Sequence, residues 1–360
     1  MANHPDRSNA GGAHLLLLLT LILGMLLAAV TIMNHLGADR WWFGALNLYL
    51  PQAIWAIPGI TLTAAMALVN VRLLWAPLLC VTWVCGPLMG FCWSRQAPPE
   101  PGQTTLRVMS CNVKFGSRDI PSLLAEINEQ RPDLVLLQDA TGLLETPVGE
   151  FFREWNVRYH GQYIIASRLP LEEAVVQWLN FPGQVERQAS LRCRLKVAGK
   201  SITFHNVHLH SPREALSLLP EALKNPPLWD FFATQLANNA ASRLIQAQKL
   251  AALLQGETGA VIVAGDLNSP DASLVSSTLR DAGVHDAFVQ GGRGYGYSYG
   301  QFLIPHGLHL PSFSFVRIDH ILINSQLRTI RSWTGTATAS DHRPVYADLV
   351  MQSSPPETTR

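Results

Sequence analysis

The sequence predicts a chain in two parts: a helical section built to cross a membrane, then a mixed α/β domain. Three observations carry this. Residues 14–93 hold three long apolar stretches with almost no charge. From residue 106 onward, β-branched apolar runs alternate with amphipathic helical spacing. Asn, Asp and His recur where those runs end. The chain is 48% hydrophobic and only 15% charged, and the apolar excess lies at the front.

Residues 1–13 are polar and are expected to be disordered. His14 to Leu36 is the first span, since about 20 apolar residues cross a bilayer. A signal peptide is the competing reading, opposed by the further apolar spans and by the lack of a small-residue cleavage site. Leu46 to Val69 is the second span, with Pro51 and Pro58 inside it, and Leu73 to Trp93 is the third. Trp41, Trp42, Tyr49, Trp75 and Trp93 lie near the ends, as interfacial aromatic residues do. A buried helical bundle is the alternative, and the near-absence of charge favours the membrane. An odd number of spans puts the two termini on opposite faces. The free amino terminus leans toward an inside N-terminus and an extracytoplasmic C-terminal domain, anchored in the inner membrane.

Residues 94–105 read as a Pro/Gly linker, 106–351 as the α/β domain and 352–360 as a tail. Expected strands are Leu106–Val113, Leu134–Leu137, Gln162–Ser167, Ala189–Val197, Ser201–Leu209, Val261–Ala264, Val316–Ile323 and Pro344–Val350. Expected helices are Ile120–Gln130 and Ala240–Leu254.

Of the 27 Lys/Arg and 26 Asp/Glu residues, the first 96 positions hold four and two. That leaves 23 basic and 24 acidic residues behind, a net of −1. This balance argues against a protein that grips nucleic acid by its phosphates. The five cysteines have neither zinc spacing nor a disulfide pattern.

The most informative stretch is Val261-Ile262-Val263-Ala264-Gly265-Asp266-Leu267-Asn268-Ser269-Pro270. A buried strand ends abruptly in polar residues, and an Asp and an Asn two apart in extended chain point the same way. Alone it also reads as a turn. Other strand ends repeat the pattern: Asn112, Gln138-Asp139, Asn206 with His208, Asp319-His320, and Ser340-Asp341-His342. The set contains no thiolate metal site and no serine elbow. Hard oxygen donors suit Mg2+ or Mn2+, and imidazoles suit proton transfer.

These pieces, Ser110-Cys111-Asn112-Val113, Gln138-Asp139, Asn206-Val207-His208-Leu209, Gly265-Asp266-Leu267-Asn268, Arg317-Ile318-Asp319-His320-Ile321 and Ser340-Asp341-His342, resemble in order the endonuclease/exonuclease/phosphatase superfamily, with its deoxyribonuclease-I-like fold. The resemblance covers roughly residues 105–351. It implies a four-layer sandwich, two mixed β-sheets flanked by helices, and metal-dependent hydrolysis of a phosphoester. Carried over by position, it implies that Asn112 and Asp139 hold the cation and that His208 binds the scissile phosphate. Asp266, with Asn268 beside it, would orient or deprotonate the attacking water. His342 would be fixed by Asp319 or Asp341. One departure stands out: the family has Glu where this chain has Asp139. The carboxylate retreats by about 1.3–1.5 Å from a cation that wants ligands at about 2.1 Å. Tyr163 is a further candidate phosphate contact, whereas His320 reads as structural, and His205 and His210 flank His208 without a clear role.

Two long segments, Pro212–Gln235 and Gly291–Phe315, follow candidate catalytic strands and are apolar for loops. With the membrane tether, they point to a lipid or lipid-linked phosphoester. One alternative is a membrane-tethered nuclease, in which Arg293 and Arg317 would have to contact phosphates. Another is a binding protein with a weakened site, for which Asp139 is the one favouring feature.

Overall fold

The computed structural model describes residues 7–96, 98–172, 174–181, 190–300 and 313–352. Expectations for residues 1–6, for Ala189, for 301–312 inside the second long loop and for the tail from 353 onward lie outside that set. The chain divides into two compact units, Met1–Phe91 and Cys92–Arg360.

The first unit is helical: α1 (Arg7–His35), α2 (Trp42–Leu48), α3 (Ala56–Val69) and α4 (Trp75–Trp83). Three stretches are long and apolar enough to cross a membrane: Gly11–His35, Gln52–Val69 and Val71–Leu88. The second is shorter than the sequence suggests, because residues 46–48 end the separate helix α2. Pro58 and Pro77 sit in the first turns of α3 and α4, where the missing N–H has no helical partner to lose. Most of the apolar surface of these helices points outward. Leu21 is 60% exposed, Ile57 60% and Leu68 89%.

The second unit contains fourteen described strands. In chain order they are β1 (Cys92–Trp93), β2 (Thr105–Asn112), β3 (Leu134–Gln138), β4 (Asn156–His160), β5 (Tyr163–Ser167), β6 (Val175–Gln177), β7 (Ser190–Val197), β8 (Lys200–His208), β9 (Ala260–Asp266), β10 (Val284–Asp286), β11 (Arg293–Gly294), β12 (Asp319–Asn324), β13 (Leu327–Thr334) and β14 (Val345–Met351). The helices are α5 (Ile120–Gln130), α6 (Pro147–Phe151), α7 (Arg213–Leu216), α8 (Leu219–Lys224), α9 (Trp229–Gln255), α10 (Leu274–Asp281) and α11 (Ala287–Gly291).

Two six-stranded mixed sheets form, ordered β10-β12-β9-β8-β7-β6 and β13-β14-β2-β3-β5-β4. Between them lies a core that includes Val108, Leu136, Ile165, Phe204, Ile262 and Ile321. The outer face of one sheet is covered by α5 and α6 through Leu123, Ile127, Val148 and Phe152. The outer face of the other is covered by α9 and α10 through Leu250, Leu254, Val275 and Leu279. Buried strands such as Leu134–Gln138, apolar on both faces, are what such layering requires. The expected four layers are therefore present.

Each sheet has one parallel pair at its centre, β2 with β3 and β8 with β9. A parallel pair needs a crossover, which α5 supplies in one sheet and α7–α9 in the other. The segment Pro212–Gln235, expected as a loop, is thus mostly helical. Its leucines are half-buried or exposed, and Pro220 stands in the first turn of α8.

Candidate active site

Parallel pairing aligns the carboxyl ends of neighbouring strands, and this assembles the site. His208 ends β8 directly beside Asp266 at the end of β9. The antiparallel β12 begins at Asp319, opposite Asp266. In the other sheet Asn112 ends β2 beside Gln138 at the end of β3. There β14 enters at Val345 opposite Ser110, which brings the preceding Asp341 and His342 to the same edge.

Asp266 is the hub. Gly265 approaches β8 so closely that a Cβ there would stand 1.8 Å from the Val207 carbonyl oxygen, at φ +148°. The Asp266 Oδ1 atom accepts the Asn268 backbone N–H at 2.8 Å, and Oδ2 accepts from Asn112 Nδ2 at 3.0 Å. The same Oδ2 faces His208 Nε2 at 3.6 Å and His342 Nε2 at 3.7 Å. Burial raises the Asp266 carboxyl above its ordinary range, against the pull of His342 and His208.

His342 is almost fully buried, and its Nδ1 donates to both oxygens of Asp319, at 2.8 and 3.1 Å. Of the two partners expected for His342, Asp319 is therefore the one engaged. The Asp319 and Ile318 backbone N–H groups donate to Ser298 Oγ, which fixes the backbone where β12 begins. Burial alone would lower the His342 pKa. Asp319, Asp266 and Asp341 outweigh it and hold the imidazole at about 9.

Asp341 turns to cations instead. Its Oδ2 lies 2.5 Å from Lys114 Nζ and 3.5 Å from Arg213 Nη2. Burial opposes its ionisation, but His342, Lys114 and Arg213 together depress its pKa. The Tyr299 ring packs on His342 with centroids 4.7 Å apart, and its hydroxyl bonds with Arg213.

His208 Nδ1 faces the Gln162 side-chain oxygen at 2.6 Å and Asp139 Oδ1 at 3.4 Å. Burial would lower its pKa, but Asp139 and Asp266 raise it. Burial likewise works against ionisation of Asp139, and its contacts with His208 and Asn112 prevail and lower its pKa. Asp139 has a left-handed backbone, φ +49°. So do Lys114 at φ +46° and Phe115 at φ +58°, a conformation that costs a non-glycine residue about 1–3 kcal/mol. The turn is held by Asn112 Oδ1, which accepts the Lys114 N–H at 3.0 Å, and by the Asp139 carbonyl, which accepts the Phe115 N–H at 2.6 Å.

Two expectations fail on contact with this geometry. Asn268 does not point alongside Asp266. The strand stops at Asp266, Asn268 turns left-handed at φ +49°, and its amide donates to the Leu209 carbonyl at 2.9 Å. It shapes the loop while its backbone orders Asp266. Tyr163 is 1% exposed and packed in the core between the sheets, with its hydroxyl bonded to the His208 backbone. It supports His208 from below and offers nothing to a phosphate. Lys114, Arg213, Tyr299, Ser298 and Gln162 were not singled out as site residues, and the side-chain pairings that place Lys114, Arg213, Ser298 and Gln162 span 20 to 227 positions of chain.

His320 lies outside this pocket. Its Nδ1 meets Asp286 Oδ2 at 2.6 Å and its Nε2 meets the Ser269 carbonyl at 3.0 Å. Both partners are acceptors, so the ring carries both protons. Arg317 is locked onto Asp271 and Asp286 at 2.5 and 3.4 Å and is 6% exposed. The nuclease reading needed it as a phosphate contact, and it is not available for one.

Hard oxygen donors at the mouth fit a divalent cation. The Asp139 carboxylate is 22% exposed, and Asn112 Oδ1 keeps a second lone pair beyond the Lys114 N–H. Among the described residues, two other groups have metal-ligand spacing, Asp266/Asp319/His342 and Asp271/Asp286/His320. The first is satisfied by its own proton-sharing contacts, and the second is neutralised by Arg317.

Comparison with known proteins agrees with this architecture. The TDP2 of D. rerio, solved with a single-strand DNA product, superposes with a TM-score of 0.53 at 18% identity, covering 68% of this chain and 99% of that one. An endonuclease/exonuclease/phosphatase from Bacteroides vulgatus gives 0.51 at 17% identity, covering 69% and 100%. At such identities the likeness concerns the fold. No curated protein sequence matches significantly. The sequence pattern of the Endonuclease/Exonuclease/phosphatase family matches residues 109–342, nearly two thirds of the chain, and so encloses Asn112, Asp139, His208, Asp266, Asp319, Asp341 and His342. Members of that family are hydrolases acting on phosphoesters, and this chain belongs to it.

Proposed function

We propose that the protein is a membrane-anchored, divalent-metal-dependent phosphoesterase whose substrate is a phosphomono- or phosphodiester of a lipid or lipid-linked molecule. The observation that carries this reading is the convergence on Asp266 Oδ2 of Asn112, His208 and His342, with Asp319 behind His342. The pocket so formed presents two imidazole nitrogens and a carboxylate to whatever enters it. Asp266, its pKa raised by burial, is matched to taking a proton from an attacking water. His342, held protonated by Asp319, is matched to stabilising charge on a phosphoryl oxygen and giving a proton to the leaving group. His208 faces the same oxygen from the other side and binds the scissile phosphate. Asp139 and Asn112 would hold Mg2+ or Mn2+, which when bound neutralises charge on the phosphoryl oxygens.

The lipid part rests on the three apolar helices, whose exposed leucines and isoleucines need an apolar surround. It rests also on the near-neutral charge of the remainder, which does not suit a nucleic-acid groove. The protein is then integral to the inner membrane, with the catalytic unit on the extracytoplasmic side.

The test is hydrolysis by the detergent-solubilised full chain of phospholipid, sphingolipid and polyprenyl-phosphate panels beside DNA and RNA. Expected is lipid phosphoester turnover that EDTA abolishes, that Mg2+ or Mn2+ restores, and that His342→Ala and Asp266→Ala each remove. Efficient nucleic-acid cleavage with all lipids ignored would overturn it. Protease accessibility in spheroplasts reads the side of the membrane.

A further inference from the structure

Lys114 and Arg213 are used more heavily than Asp341 requires. A single cation, Lys114 at 2.5 Å, already answers that carboxylate. Arg213, 59% exposed at its side chain, adds a second at 3.5 Å. The pair therefore places two cationic groups on one carboxylate oxygen at the pocket wall. Laid end to end, the two contacts keep Lys114 Nζ and Arg213 Nη2 no more than 6.0 Å apart. One phosphoryl group can accept from two donors that close, since each charge-assisted contact is about 2.8 Å long. Arg213 is held toward the centre by the Tyr299 hydroxyl, whose ring rests on His342.

Phe115 adds an independent observation. It is 61% exposed, although it is a large apolar side chain in a strained left-handed turn beside Lys114. Strain and apolar exposure at one position are opposed by folding alone, and strained backbone collects at ligand clamps. The turn is fixed by Asn112 and by the Asp139 carbonyl, so it is built into the site.

We infer that Lys114 and Arg213 form a subsite for a second phosphoryl group of the substrate, with Phe115 covering an apolar portion next to it. The preferred substrates are then molecules with two phosphoryl groups close together, joined to an apolar moiety. This rests on the phosphoesterase reading above and narrows it.

The experiment compares inorganic pyrophosphate with orthophosphate as ligands of the full chain in detergent. Binding is measured by calorimetry with wild type, Arg213→Gln, Lys114→Gln and the His342→Ala variant, and kcat/KM is measured for a long-chain alkyl diphosphate and a long-chain alkyl monophosphate. Expected is at least tenfold tighter binding of pyrophosphate, a ratio that falls severalfold or more toward unity in Arg213→Gln and Lys114→Gln and persists in His342→Ala. Phe115→Ala should raise KM for the alkyl diphosphate more than it weakens pyrophosphate binding. Equal loss of both would place the recognised group on free phosphate chemistry without an apolar part and overturn the Phe115 assignment. Hydrolysis with no preference for two phosphoryl groups, or a preference untouched by Arg213→Gln, overturns the subsite and leaves the phosphoesterase reading standing. Preferential binding with no hydrolysis of any phosphoester does the reverse. Arg213 is a surface residue, so its variant keeps the test open if Lys114→Gln misfolds.

Discussion

Replacing Asp319 by Asn tests the proton economy of the site. The substitution keeps shape and removes the charge that His342 Nδ1 meets at 2.8 Å. His342 stands at about 9 in the folded protein against an ordinary 6.5. At about 1.4 kcal/mol per pH unit, the folded state gains roughly 3 kcal/mol from holding this proton. A raised histidine pKa stabilises fully below pH 6.5 and loses that contribution as pH climbs through 9, because the native state binds the extra proton over that window. Wild type should therefore melt progressively lower between pH 6.5 and 9.5, with EDTA present to exclude metal effects. Without the Asp319 charge, burial is opposed only by Asp266 and Asp341, and the Asn variant should show a flatter profile and lower stability at pH 6.5. Activity should fall by about 10²–10⁴-fold, the usual share of positioned acid–base catalysis. Parallel melting profiles in the two proteins, or activity within tenfold of wild type, would refute the reasoning.

Two further substitutions test the frame. Glu126 is 6% exposed, and its carboxylate accepts from the Thr336 and Ala337 backbone N–H groups, the Thr336 hydroxyl and the Tyr346 hydroxyl. Glu126→Gln turns an amide N–H₂ toward those donors and should cost about 3–5 kcal/mol, read as a lower urea midpoint. Because that segment leads into Asp341 and His342, kcat should fall as well. Gly265→Ala places a Cβ 1.8 Å from the Val207 carbonyl oxygen, so the backbone must move. More than about 3 kcal/mol and nearly all activity should be lost, which folded yield and turnover would show together.

The polar strand ends were legible because each follows an apolar β-branched run, and a buried strand can end only at an edge. Asn112, Asp139, His208 and Asp266 are legible this way, Asp319, Asp341 and His342 through the family resemblance, and the structure gathers all of them around one pocket. What remained hidden depended on partners far away in the chain. Nothing local marks Ser298 as the group that fixes Asp319, or divides the roles of Asp319 and Asp341. Asn268 was misdirected by extending strand geometry two residues past the real strand end. The strands Asn156–His160 and Leu327–Thr334 escaped notice because Arg158, His160, Arg328 and Arg331 interrupt their alternation. Of the helical stretch from α7 to α9 only Ala240–Leu254 reads as helix from the sequence; Pro220, Pro226 and Pro227 stand in first turns, where proline is at home.

The amide of Gln138, at the end of β3, donates to Asn206 Oδ1 at 2.7 Å, and Asn206 Nδ2 reaches back to the Leu137 and Ile164 carbonyls at 2.9 and 3.2 Å. These residues belong to opposite sheets and have no contact with water. Greasy faces tolerate sliding, since one apolar neighbour replaces another at little cost. A pair of buried amides does not, because any offset strands several polar groups in a dry interior. The pair thus acts as a dowel between two otherwise slippery layers. It sits one residue from Asp139 and two from His208, so the two sides of the candidate site are aligned by the interior before any ligand arrives.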